Sequence, residues 1–229
     1  MIKTVLAATA AAAFTFVLPA QAVTVVQWDF EAAVVSATAT TTLPGIAASL
    51  GSGTATGVHA ASTTVYSTPG GNGSPKAISA NNWAIGDYWQ FSFSTTGYTG
   101  VSVSFDQGSS STGPKDFTLA YSTDGFTFSN FASYALPLTS NFNSSTFNSG
   151  FTVTYDLAAV TALNNKASVA IRLIDASTVS IGGGVVGTTG TDRVDNFTVM
   201  ATAVPEAETA AMLLAGLAAL GFIAKRRNT

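Results

Sequence analysis

His59 is the only histidine in the chain, so imidazole chemistry has one place to occur. It lies in a Gly-, Ser- and Ala-rich stretch with no acidic residue beside it, which predicts a solvated loop histidine. A Ser-His-Asp triad assembles in space rather than in sequence, but no Gly-x-Ser-x-Gly elbow nominates a serine. Gly182, Gly184 and Gly187 carry the spacing of a dinucleotide-binding turn. That chemistry needs a strand before the glycines and a helix after them, so that helix amides can hold a pyrophosphate. Here Thr188-Thr189-Gly190-Thr191 and another strand-like run follow, so the segment reads as a glycine-rich loop. The absence of cysteine rules out thiol nucleophiles and thiolate metal sites. No residue set nominates a catalytic centre, and the expectation is a protein that is not an enzyme.

Carboxylates offer a different chemistry. Asp29 and Glu31 lie near the first strand-like run, and Asp192 and Asp195 near the last. First and last strands often meet in a sandwich, and such oxygen ligands suit a structural Ca²⁺. The alternative is local pairing of Asp195 with Arg193. No other cofactor is implied. A glycosidase would need two carboxylates facing a cleft roughly 5–10 Å apart, and no spacing favours a pair. Trp83, Tyr88 and Tyr98 flank turns, where an exposed ring could stack on a sugar; the competing reading is that they complete the core.

These residues need a scaffold, and period-two alternation supplies it. Trp89–Phe93, Val101–Phe105, Phe117–Tyr121, Phe151–Tyr155, Val169–Leu173 and Val194–Val199 each put aromatic or β-branched residues on one face and small polar ones on the other. That is the pattern of antiparallel strands with one wet side. Asp124-Gly125 predicts a hairpin turn, and Asp156 can cap a helical turn over 157–163. No long amphipathic helix appears before the C-terminal tail. Trp28 and Trp89 are expected as core anchors. The stretch 38–75 is the least regular, and weak strands with long exposed connections are expected there. The fold class is all-β: an antiparallel β-sandwich of jelly-roll type, with a helical leader before it and a short apolar helix after it.

Composition sets the surface. Charged residues are 9% of the chain, against roughly 25% in an average soluble domain. Four of the nine basic residues and two of the twelve acids lie at the two ends, so the body holds five bases against ten acids, about −5. No basic patch is left for a phosphate backbone, so nucleic acid is not an expected partner.

Both ends read as processing segments. Residues 1–22 combine Lys3, an apolar run from Val5 to Leu18 and small residues at Ala20 and Ala22, which predicts signal-peptidase cleavage after Ala22. The C-terminus reads Val204-Pro205-Glu206, then an apolar run from Ala210 to Ala224, then Lys225-Arg226-Arg227. Fifteen helical residues at about 1.5 Å each span roughly 22 Å, short of the 30 Å bilayer core. The basic cluster would act as a stop on the cytoplasmic side. The expected division is a leader at 1–22, a sandwich ectodomain at 23–203 and a sorting or anchoring segment at 204–229.

This tail resembles the PEP-CTERM family, whose C-terminal signal is also known as an ice-binding-protein C-terminal motif. Val204, Pro205 and Glu206 match the Val-Pro-Glu-Pro signature, with Ala207 in place of the second proline. The resemblance implies an exosortase that cuts at the Pro-Glu region and transient anchoring in the inner membrane. It further implies delivery to the outer surface or exopolysaccharide (biofilm) matrix of a Gram-negative bacterium. The competing reading is a plain anchor that is never cut. The body is similar to jelly-roll modules of secreted bacterial proteins, in Gln27–Phe30, Gly86–Phe91, Tyr121–Gly125 and Asp192–Phe197. A carbohydrate-binding module, with or without calcium, is the alternative function, and a secreted hydrolase using acidic residues is a lesser one. A flat ice-binding face would need a regular Thr-x-Thr ladder, which is absent.

Overall fold

A computed structural model describes residues 21–137, 142–204, 215–218, 220, 221, 223, 225 and 226. It contains twelve strands: β1 (Ala22–Trp28), β2 (Ile46–Ala47), β3 (Gly53–Val58), β4 (Tyr66–Ser67), β5 (Ile78–Ala80), β6 (Tyr88–Phe93), β7 (Tyr98–Ser109), β8 (Asp116–Ser122), β9 (Ser129–Ala135), β10 (Thr152–Asp156), β11 (Val169–Asp175) and β12 (Asp192–Ala203). They form two antiparallel sheets. One runs β10-β7-β12-β5-β4, with β1 also paired to β12; the other runs β2-β3-β6-β11-β8-β9. From β5 to β8 and again from β9 to β12 the chain changes sheet at every connection, the crossing pattern of a jelly roll. All six runs read from alternation are strands, and Phe151 closes a 3₁₀ turn just before β10.

Each inner face supplies the aromatic core. Phe91 of β6 lies flat on Phe197 of β12, with ring centroids 3.6 Å apart. Trp28 meets both rings edge-on at 5.3 and 5.9 Å. Trp28 and Trp89 are each 1% exposed, as expected of anchors. Edge-to-face contacts of this kind add about 0.5–1.5 kcal/mol to the burial of the rings.

The irregular stretch departs from expectation. It contains β3, a full interior strand between β2 and β6, and its alternation is hidden because small residues lie beneath large ones. A Cβ on Gly53 would stand 2.6 Å from Cζ2 of Trp28, and one on Gly57 2.7 Å from Cζ3 of Trp89. The strand is written in Gly, Ala and Thr because the indoles occupy the space. The 69–75 loop is also tied down: Asn72 is buried and exchanges hydrogen bonds with the backbone of Asn148.

Two further readings are refined. The helical segment shrinks to a 3₁₀ turn at Thr161–Leu163, although Asp156 Oδ1 does accept from the Ala158 amide at 2.8 Å. β12 is interrupted by a bulge between Asp195 and Thr198, where Asn196 adopts φ 50°. The extra residue reverses the parity, so Val194 and then Phe197 and Val199 all face the core. The Asp124-Gly125 hairpin forms as read: Gly125 has φ 82°, and Asp124 Oδ1 accepts from the amides of Phe126 and Thr127. Gly182–Gly187 is a loop between β11 and β12.

The expected helical leader at 1–22 lies outside the described residues as far as Ala20. Ala22 opens β1. Of the tail, residues 215–218, 220, 221, 223, 225 and 226 are helical. No helix among the described residues is long and apolar enough to cross a membrane.

Candidate functional site

His59 is a buried residue, not a solvated one. It is 3% exposed, and its ring stands edge-on to Trp83 at 4.3 Å and to Tyr66 at 5.5 Å. The correction has a physical source: the turn after β3 folds inward beside Asp87, which precedes β6 and is remote in sequence. Nδ1 lies 3.2 Å from Asp87 Oδ2 but off the line of a hydrogen bond, and neither ring nitrogen has a hydrogen-bond partner among the described residues. Burial lowers the His59 pKa, against the opposing pull of Asp87 and the Asn82 carbonyl. Asp87 itself is spent on the backbone, accepting from the Ala60 and Ala84 amides at 2.8 Å each. No hydroxyl bonds to the ring, so the nucleophile–base link of a triad is missing among the described residues.

The four carboxylates proposed for calcium occupy separate settings. Asp192 is fully buried beneath Trp89 Nε1 (2.7 Å), Gln107 Nε2 (3.1 and 3.2 Å) and Ser109 Oγ (3.0 Å). Burial pushes its pKa up to about 7, against the lowering effect of those donors. Asp195 Oδ2 accepts from the Asn72 amide at 2.9 Å and Ser74 Oγ at 2.7 Å. Burial raises its pKa to about 6. Glu31 Oε1 accepts from the Lys76 amide at 3.1 Å, and Asp29 Oδ1 from the Glu31 amide at 3.2 Å. Their oxygens are thus held by separate sets of donors. Among the described residues no three Asp, Glu or His side chains converge as ligands, so the expected gathering does not occur.

The three aromatics also divide. Trp83 is 6% exposed and donates through Nε1 to the Ala80 carbonyl at 2.9 Å, so it belongs to the core rather than to a surface platform. Tyr98 is half-buried and packs against the core at the start of β7. Tyr88 alone stands on the outward side of β6, half-buried.

There it meets a residue that the sequence reading passed over. The Arg172 guanidinium lies 3.8 Å from the centroid of the Tyr88 ring and 3.7 Å from that of Phe128. Arg172 stands opposite Gln90 in the β6–β11 register, and its Nε donates to Gln90 Oε1 at 2.8 Å. Gln90 Nε2 in turn donates to Ser92 Oγ at 3.0 Å. Around this stack the outer face of the β2–β9 sheet presents Thr54, Thr56, Thr118 and Asn130, small hydrogen-bonding groups on a surface with a pinned cation. Alternation marked Gln90 and Arg172 as outward, but nothing in either segment reveals that β6 and β11 are neighbours.

The C-terminal junction lies elsewhere. β12 ends at Ala203, and the Val204 amide donates to the Gly97 carbonyl at 2.8 Å. Pro205, Glu206 and Arg227 lie outside the described residues, while Lys225 and Arg226 are in the helical part of the tail. The PEP-CTERM protein-sorting motif model matches residues 203–227. The chain carries a PEP-CTERM sorting motif. Its first residue is the last of β12, so the matched segment begins where the last strand ends.

None of the curated proteins compared with the chain matches it. Among solved structures it is similar to TmCBM61 in complex with β-1,4-galactotriose, at 9% identity over 64% of this chain and 86% of that one, with a TM-score of 0.36. It is also similar to the CBM22-1–CBM22-2 tandem of Paenibacillus barcinonensis Xyn10C, at 13% identity and a TM-score of 0.43, covering 78% of this chain but half of that one. A third is the K2 cleaved adhesin domain of Lys-gingipain, at 16% identity over 61% of this chain and 82% of that one, with a TM-score of 0.37. The sandwich assignment rests on the two sheets themselves.

Proposed function

We propose that this chain is an exported, non-enzymatic protein of the cell surface or extracellular matrix, released from the membrane by an exosortase and associated with exopolysaccharide. The PEP-CTERM motif carries the reading, because the matched segment begins at the last residue of the sandwich's final strand. The two expected junctions adjoin neighbouring strands: Ala22 pairs with Thr202 and Val23 with Ala201. Val23 and Val204, next to the two expected junctions, are 44% and 45% exposed. Signal peptidase would act first at Ala22, and the exosortase would then cut near Pro205-Glu206. Replacing Glu206 by Ala should leave the protein in the inner-membrane fraction, whereas the parent moves to the surface or matrix. Equal release of both proteins would sink the sorting mechanism.

A second reading, a carbohydrate-binding face, is favoured by the Tyr88–Arg172–Phe128 stack on the outward side of the β2–β9 sheet. Sugars suit a surface that mixes ring edges with hydroxyl and amide groups, since each hydroxyl needs a polar partner when it leaves water. Retention on immobilised glycans, compared between the parent and Tyr88→Ala, tests it; no retention of either protein would remove it.

A further inference from the structure

Arg172 is the only Lys or Arg on the six strands of its sheet. It makes no salt bridge among the described residues, so a half-buried guanidinium stands without a counter-charge. Both of its faces are covered, by Tyr88 at 3.8 Å and Phe128 at 3.7 Å, and its Nε is committed to Gln90. What remains is the Nη1–Nη2 end, which has no acceptor among the described residues. A planar guanidinium presented by that end matches a carboxylate through two parallel N–H···O bonds. Rigid stacking means that little side-chain entropy is lost when such a bond forms.

We propose that the Tyr88–Arg172–Phe128 clamp is a binding site for carboxylate-bearing polysaccharide, that is, glycan containing uronic acid. This rests on the carbohydrate-binding reading and names its ligand class. The surroundings favour a glycan over an acidic peptide. Arg172 lies on β11, an interior strand paired on both sides with β6 and β8, so a peptide strand added at the sheet edge would not pair beside it. Thr56, opposite Gln90 on β3, and Asn130, opposite Ala120 on β9, put a hydroxyl and an amide in the same cross-strand row as the cation instead. On a chain of net charge −3, an acidic polymer is held by this local contact and not by the overall field.

The test uses the full chain in detergent, run by affinity electrophoresis against polygalacturonate, neutral galactan and dextran. Polygalacturonate should retard the parent, and salt should weaken the retardation. Arg172→Gln should lose about ten- to a hundredfold in affinity, the range expected for a hydrogen-bonded ion contact. Gln90→Glu keeps the arginine and the fold while placing a carboxylate on Nε; it should lose affinity to a similar degree with no drop in thermal midpoint. Undiminished binding by either variant would overturn the site. Retention by galactan or dextran but not by polygalacturonate would overturn the ligand class and leave the carbohydrate reading standing. Retention by no glycan would overturn both.

Discussion

Asp192 makes the stability of the sandwich fall as pH rises, and its burial fixes the sign. Loss of water raises its pKa from 3.8 to about 7 despite its donors. Between those values the folded protein holds a proton that the unfolded chain has released, so raising the pH favours unfolding. The contribution is fully present below about pH 4 and is lost as the pH climbs through 7. Roughly three pKa units at about 1.4 kcal/mol each give about 4 kcal/mol across the window, and about 2–3 kcal/mol of that falls between pH 5 and pH 8. Asp175 and Asp195, both raised to about 6 by burial, act in the same direction but finish lower. His59 opposes them below pH 6.5, because its lowered pKa makes the folded state prefer the neutral ring. Asp192→Asn removes only one titration and keeps an oxygen for Trp89 Nε1. Urea midpoints of the parent and the variant at pH 5 and pH 8 therefore isolate Asp192, since the other groups cancel in the difference. The variant should gain about 2–3 kcal/mol on the parent between those pH values, or about 5–10 °C in Tm for a chain of this size. Parallel pH dependence of the two proteins would refute the reasoning.

Other perturbations follow from single contacts. A Cβ on Gly71 would lie 2.1 Å from Ser74 Oγ and 2.3 Å from Asp195 Oδ2; Gly71→Ala should cost about 1–3 kcal/mol, read from the urea midpoint. Asp87→Asn leaves one of the Ala60 and Ala84 amides facing another donor. It should cost about 1–3 kcal/mol, with faster hydrogen exchange at those two amides. A variant as stable as the parent would show that the loops do not depend on that carboxylate.

How much of this was legible depended on whether the signal was local. Trp89-Gln90-Phe91-Ser92-Phe93 declares a strand because its alternation is complete within five residues. β3 does not, because Gly53 and Gly57 are small for the sake of indoles from other strands. Asp124-Gly125 specifies its own turn, whereas the β12 bulge at Asn196 depends on a bond to Asp106 across the sheet. The PEP-CTERM tail is a contiguous string and could be read directly. Tyr88 was named for its place beside a turn, but its partners Arg172 and Phe128 arrive through strand pairing. His59 appeared solvated for the same reason: Asp87, Trp83 and Trp89, which enclose it, lie more than twenty residues away.

The central claim is that this sandwich is delivered to the surface by removal of its tail. Intact mass of the protein recovered from its host, with and without the exosortase, tests it most directly. The account predicts a chain that begins at Val23 and ends at Pro205 or Glu206 when the enzyme is present, and one that keeps its tail when the enzyme is absent. A chain that retains Ala210 through Arg227 in both strains would contradict it.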